Sequence, residues 1–92
     1  MELRQLKTFV TVADLSSFTR ASKKLNMAQS SVSAQVKALE EALDLKLFDR
    51  LGRRVLITDA GRKLYAYARR MEEMTREIQS EFSTDRYVRG AL

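Results

Sequence analysis

This sequence predicts a mainly α fold of three helices, a two-stranded wing and one long final helix. Apolar residues recur at spacings of three and four through most of the chain. Proline is absent and only three of the 92 residues are glycine, so little interrupts the helices. The one β-prone stretch, residues 47–58, turns about Gly52. A chain of this length makes one small domain, with a core that is adequate but not generous.

Leu3, Leu6, Val10 and Ala13, flanked by Phe9 and Val12, predict a first helix over residues 3–15 with this apolar face inward. Asp14 and the Ser16–Ser17 pair break it. Ser17 can cap a second helix, its hydroxyl accepting from a free backbone amide. That helix places Phe18, Ala21 and Leu25 on one face and Arg20, Lys23 and Lys24 on the other. Asn26 tolerates the left-handed conformation that ends helices, and the turn at residues 26–28 is short enough to force a steep crossing. The third helix buries Val32, Val36, Leu39 and Leu43, leaving Ser30, Ser33, Ala34 and Lys37 off that stripe. Residues 18–37 thus read as a helix-turn-helix.

Two β-prone runs follow, at residues 47–50 and 55–58. They flank Leu51, Gly52, Arg53 and Arg54, read as a four-residue hairpin loop. The hairpin forms a charged wing beside the third helix, completing a winged helix-turn-helix. Thr58 can cap the last helix, with Asp59 complementing its positive end. From there to residue 88 the seam Leu64, Ala68, Met71, Thr75, Ile78 and Phe82 keeps spacings of four and three. Thirty helical residues extend roughly 45 Å, more than so small a body covers. The surplus apolar face calls for a partner, and a second copy of the chain is the simplest.

Charge is distributed unevenly. Residues 1–63 hold twelve Lys and Arg against seven Asp and Glu, a surplus of five, while residues 64–92 hold five of each. A basic body with a neutral tail suits a polyanion, although surface lysines also serve solubility. Without cysteine or histidine there is no disulfide, thiolate or imidazole chemistry, and little means of holding zinc. No catalytic constellation or cofactor motif is visible, and the serines lack both a histidine and a G-x-S-x-G elbow. No apolar stretch is long enough to span a membrane, and the N-terminus lacks a signal-peptide core. The cytoplasm is the expected compartment.

The third helix opens on Gln29, Ser30, Ser31 and Ser33, which are polar but uncharged. Solubility explains such a turn poorly, whereas contact with base edges and phosphates together explains it well. Gln29 can pair its amide with adenine N6 and N7. The three serines can serve as caps, as phosphate donors, or as both. Lys37 lies two turns on along the same side, and Thr19 and Arg20 sit where a helix start can hold a phosphate. Arg53 at the wing tip suits a narrow minor groove, Arg54 is read equally as a soluble turn residue, and Arg50 divides between a phosphate and an ion pair with Glu40 or Glu41. An RNA-binding module is the nearest rival, but the aromatic residues fall mostly on buried faces. A helical scaffold that never touches nucleic acid is the other.

These residues resemble a known family. L-x-x-L-x-x-F near the start, SFTRAS, L-N-x-A-Q-S-S-V-S-x-Q-V-K-x-L-E and L-F-x-R-x-x-R-x-V-x-I-T-x-A-G, closing at Gly61, tile residues 3–61. Together they resemble the N-terminal domain of LysR-type transcriptional regulators. The resemblance implies a winged helix-turn-helix DNA-binding domain over residues 1–58, with its helix-turn-helix at 18–37 and its wing at 47–58. It implies a linker and dimerisation helix over 59–88, and at 89–92 the start of a connection to an effector-binding domain. The chain is then the DNA-binding part of a longer bacterial regulator. It would bind an interrupted inverted repeat with A·T-rich flanks as a homodimer. At full length it would act as a dimer of dimers answering to a small molecule. Ser16, Ser22 and Asp44 depart from the family pattern, standing where glycine, alanine and glycine are common. Ala34 stands where many members carry an arginine that reaches bases, which shifts readout toward Gln29, Ser30, Ser33 and the wing.

Overall fold

The computed structural model describes residues 1–83, so the expected helical stretch 84–88 and the connection at 89–92 lie outside the described residues. The elements in chain order are α1 (Leu3–Leu15), α2 (Phe18–Leu25), α3 (Gln29–Leu43), β1 (Phe48–Leu51), β2 (Arg54–Ile57) and α4 (Asp59–Phe82). α1, α2 and α3 pack around one core, the antiparallel hairpin of β1 and β2 flanks α3, and α4 returns across α1.

Local chemistry sets the ends of these helices. The Ser17 hydroxyl accepts from the Arg20 amide at 3.0 Å and starts α2. Asn26 ends it in the left-handed region, with φ of 55°. There the Asn26 amide bonds the Lys23 carbonyl and the Met27 amide the Ser22 carbonyl, which is a Schellman closure. α3 ends the same way at Asp44, with φ of 53°. α1 ends at Ser16 with φ of 51°. Each of these three caps puts a side chain where glycine is most at ease. At the head of α4 the Thr58 hydroxyl accepts from the Gly61 amide at 3.0 Å.

The core is built on Phe9, Val12, Val32, Leu39 and Leu47, all fully buried. Phe48 stacks obliquely on Phe9, ring centroids 5.3 Å apart, and meets Phe18 edge-on at 5.8 Å, tying the wing to α1 and α2. Thr8 is buried although polar, and its hydroxyl is satisfied by donating to Gln35 on α3. Leu3 departs from the expected inward face of α1, because it lies 66% exposed beyond the first turn that touches the body.

Two features of the wing and α4 differ from expectation. The strands run one residue deeper than the sequence suggests, pairing Phe48 with Ile57 through to Leu51 with Arg54. The loop is therefore Gly52 and Arg53 alone, tightened by φ of +63° at Gly52, as a type II′ turn requires of its first residue. Arg54 becomes a strand residue. In α4 the expected seam divides. Ala68 is buried in the chain's own core and Leu64 packs against it, because the first turns of α4 lie on the body. From residue 73 to 83 every position is exposed.

Candidate nucleic-acid interface

The first turn of α3 is open to solvent. Gln29, Ser30, Ser31 and Ala34 are exposed and Ser33 is half-buried, while Val32 and Val36 behind them fasten the helix to the core. The chemical character of this first turn is thus largely decoupled from its anchorage: Val32 and Val36 hold α3 while the polar residues beside them face outward.

Thr19 and Gln29, expected to act separately, are brought together. The Thr19 hydroxyl donates to Gln29 Oε1 at 2.9 Å across the gap between α2 and α3. Ser33, Lys37 and Arg50 also converge, lining an open groove of about 540 Å³ between α3 and β1. Lys46 lines the same groove and had no sequence signal, being a lone lysine in an aperiodic connector. The Arg50 guanidinium lies 4.0 Å over the Phe18 ring rather than against Glu40 or Glu41. Glu40 instead fixes the start of the wing against α3, its carboxylate accepting from the Leu47 amide at 2.8 Å and from the Phe48 amide at 3.4 Å. Arg20 is exposed at the start of α2, Arg53 at the hairpin tip and Arg54 beside it, and none of these three lines the groove.

The electrostatics of this face follow from what its cations do not touch. Among the described residues the ion pairs are Arg4–Glu2, Arg62–Asp59 and Arg69–Glu72, none of them at this surface. Among the described residues Arg20, Lys37, Lys46, Arg50, Arg53 and Arg54 form none of these ion pairs. Glu40 and Asp49 line the groove with Lys37, Lys46 and Arg50, but Glu40 is spent on the wing amides, so a cationic surplus faces an outside anion. Among the described residues no cluster of acidic, histidine or cysteine side chains could hold a metal, and no helix is long and apolar enough to cross a membrane.

α4 exposes Tyr67, Met71, Met74 and Ile78, spaced four, three and four. Met71 and Ile78 belong to the expected seam. Tyr67 and Met74 do not, and they replace Leu64 and Ala68 as its outward members. Thr75 is exposed with its hydroxyl turned back to the Met71 carbonyl at 3.0 Å, and Phe82 is exposed at the helix end. The Tyr65 phenol donates to Asp14 on α1 and latches α4 to the body. Its pKa is raised above the ordinary tyrosine value, first because that bond holds the proton and then through burial.

Comparison with known proteins gives this surface its context. The sequence model of bacterial regulatory helix-turn-helix proteins of the lysR family matches residues 3–62. The HTH-type transcriptional regulator YwqM of Bacillus subtilis (strain 168) is 44% identical over 92 residues, and the RuBisCO operon transcriptional regulator of Allochromatium vinosum is 41% identical over 93. Each match takes in the whole chain but 31% of the relative, so the chain spans under a third of the length of these proteins. Among solved structures, the BenM DNA-binding domain in complex with benA site 1 DNA superposes with a TM-score of 0.84 at 40% identity, covering 88% of this chain and 94% of that one. The CbnR DNA-binding domain in its DNA complex gives 0.83 at 34% identity, covering 88% and 93%. With its helix-turn-helix, wing and long fourth helix, this chain belongs to the lysR family of bacterial regulatory helix-turn-helix proteins.

Proposed function

We propose that the chain binds double-stranded DNA sequence-specifically, as two copies paired through α4, and is the DNA-reading part of a bacterial transcription regulator. The observation that carries this reading is the exposed, uncharged opening of α3 set among cations that form no ion pair among the described residues. α3 enters the major groove, where Gln29 and its serines meet base edges. Lys37, Lys46, Arg50 and Arg20 neutralise phosphates on either side and supply most of the affinity. Arg53 reaches the adjacent minor groove from the wing tip and favours A·T-rich shape, with Arg54 beside it.

Pairing through Tyr67, Met71, Met74 and Ile78 presents two such heads to an interrupted inverted repeat. The BenM and CbnR DNA-binding domains solved in complex with DNA support the DNA-binding part of this reading. For the longer protein we infer a cytoplasmic regulator that assembles as a dimer of dimers and answers to a small molecule bound outside this segment.

The test is binding of the full chain to random-sequence duplex DNA and to matched duplex RNA across a salt series. DNA affinity should fall about a thousandfold or more between about 50 and 200 mM salt if six or more phosphates are neutralised. Equal affinity for RNA, or no salt dependence, would overturn the proposal and favour a scaffold or an RNA reader.

A further inference from the structure

Thr19 and Gln29 lie ten residues apart on different helices, yet one hydrogen bond of 2.9 Å joins their side chains. Both residues are exposed, so burial does not force them together. Thr19 itself is firmly held. Its carbonyl accepts from the Ser22 hydroxyl at 2.6 Å, its neighbour Phe18 is buried, and the Ser17 cap fixes the turn. Its β-branched side chain is stiff at χ1. Gln29, in contrast, carries three rotatable side-chain bonds, and glutamine is among the residues that lose most freedom when fixed.

A hydroxyl has one proton to donate. Given to Gln29, that proton is not available to a phosphate oxygen, so the phosphate role expected of Thr19 competes with the bond observed. The glutamine carbonyl has two lone pairs, and the bond uses one. One acceptor position and both amide hydrogens remain, which is the set needed to accept from adenine N6 and donate to N7.

We propose that Thr19 is a specificity-positioning residue, whose hydroxyl holds the Gln29 amide in the orientation that reads a base and does not anchor a DNA phosphate. This rests on the reading of Gln29 as a base contact. Ordering the amide in the free protein removes part of the entropy lost on binding and narrows the bases it can satisfy. The effect matters more here because Ala34 offers no second long side chain to share the discrimination.

The experiment uses the full chain and a duplex selected from a randomised library. Affinity is measured for all four base pairs at the position where Gln29→Ala loses its preference. Thr19→Val should lower discrimination at that position alone by about threefold to tenfold, the worth of one neutral hydrogen bond. Non-specific affinity and the salt slope should not move, Thr19→Ser should retain the preference, and Thr19→Val should add nothing in the Gln29→Ala background. A uniform loss across all four base pairs and non-specific DNA would make Thr19 a phosphate contact and overturn the proposal. Unchanged discrimination in Thr19→Val, with loss in Gln29→Ala, would overturn it while leaving the base contact standing. A Gln29→Ala protein that keeps its preferences everywhere would remove both.

Discussion

Gly61 is the position where one added methyl group should cost most. It is buried in the first turn of α4, pressed against the connector that leads into the wing. A Cβ there would lie 2.5 Å from the Leu47 carbonyl oxygen and 2.6 Å from Ile57 Cγ1. Neither neighbour has room to retreat. The Leu47 carbonyl accepts from the Thr58 amide at 3.0 Å, and the Leu47 side chain is fully buried. Ile57 is paired with Phe48 in the hairpin, and Phe48 is wedged between Phe9 and Phe18. Overpacking of this kind costs about 1–3 kcal/mol. Alanine recovers up to about 1 kcal/mol of helix propensity, and less near a helix start. Gly61→Ala should therefore destabilise the fold by about 1–2 kcal/mol, with the melting temperature falling roughly 4–8 °C for each kcal/mol. Urea unfolding followed by far-ultraviolet circular dichroism, at one protein concentration, measures it directly. An alanine variant as stable as the parent would show that α4 and the wing are not locked together at this point.

Asp44→Gly should raise stability by about 1 kcal/mol, since it relieves a left-handed side chain and removes an acid from the negative end of α3; the urea midpoint checks it. Ile78→Asp should shift the chain toward monomer in sedimentation velocity, because Ile78 is 54% exposed on the outward stripe of α4; an unaltered dimer would refute pairing through that stripe. Tyr65→Phe should be less stable than the parent at neutral pH. The raised Tyr65 pKa means that its contribution is complete below about pH 10 and fades as pH climbs through the raised value, so stability against pH should show the two proteins converging in alkali.

Much of the fold was legible because its punctuation is local. Ser17, Asn26 and Thr58 act through their own side chains and backbone within a few residues, so their roles follow from residue type and place in the chain. The buried stripe of α3 was legible for the same reason, since Val32, Val36 and Leu39 keep helical spacing. What stayed hidden depends on contacts between distant segments. Heptad spacing in α4 reveals an apolar face but not which body covers it, and Ala68 is taken by the chain's own core. The hairpin keeps the expected register, with Arg50 opposite Val55, but its turn is two residues shorter than expected, because a two-residue turn and a four-residue loop share the same glycine. The Thr19–Gln29 bond, the Arg50 stack on Phe18 and the Glu40 clamp on the wing join residues that no periodicity relates.

If two copies bind one duplex, α3 should enter the major groove twice and the wing tip the minor groove twice. Dimethyl sulfate interference on a selected site reads both grooves at once, because it methylates guanine N7 in the major groove and adenine N3 in the minor groove. Two symmetry-related clusters of major-groove interference are expected, each flanked on one side by adenine N3 interference that Arg53→Ala removes. A single cluster, or loss of binding spread evenly over the site, would contradict this mode of binding.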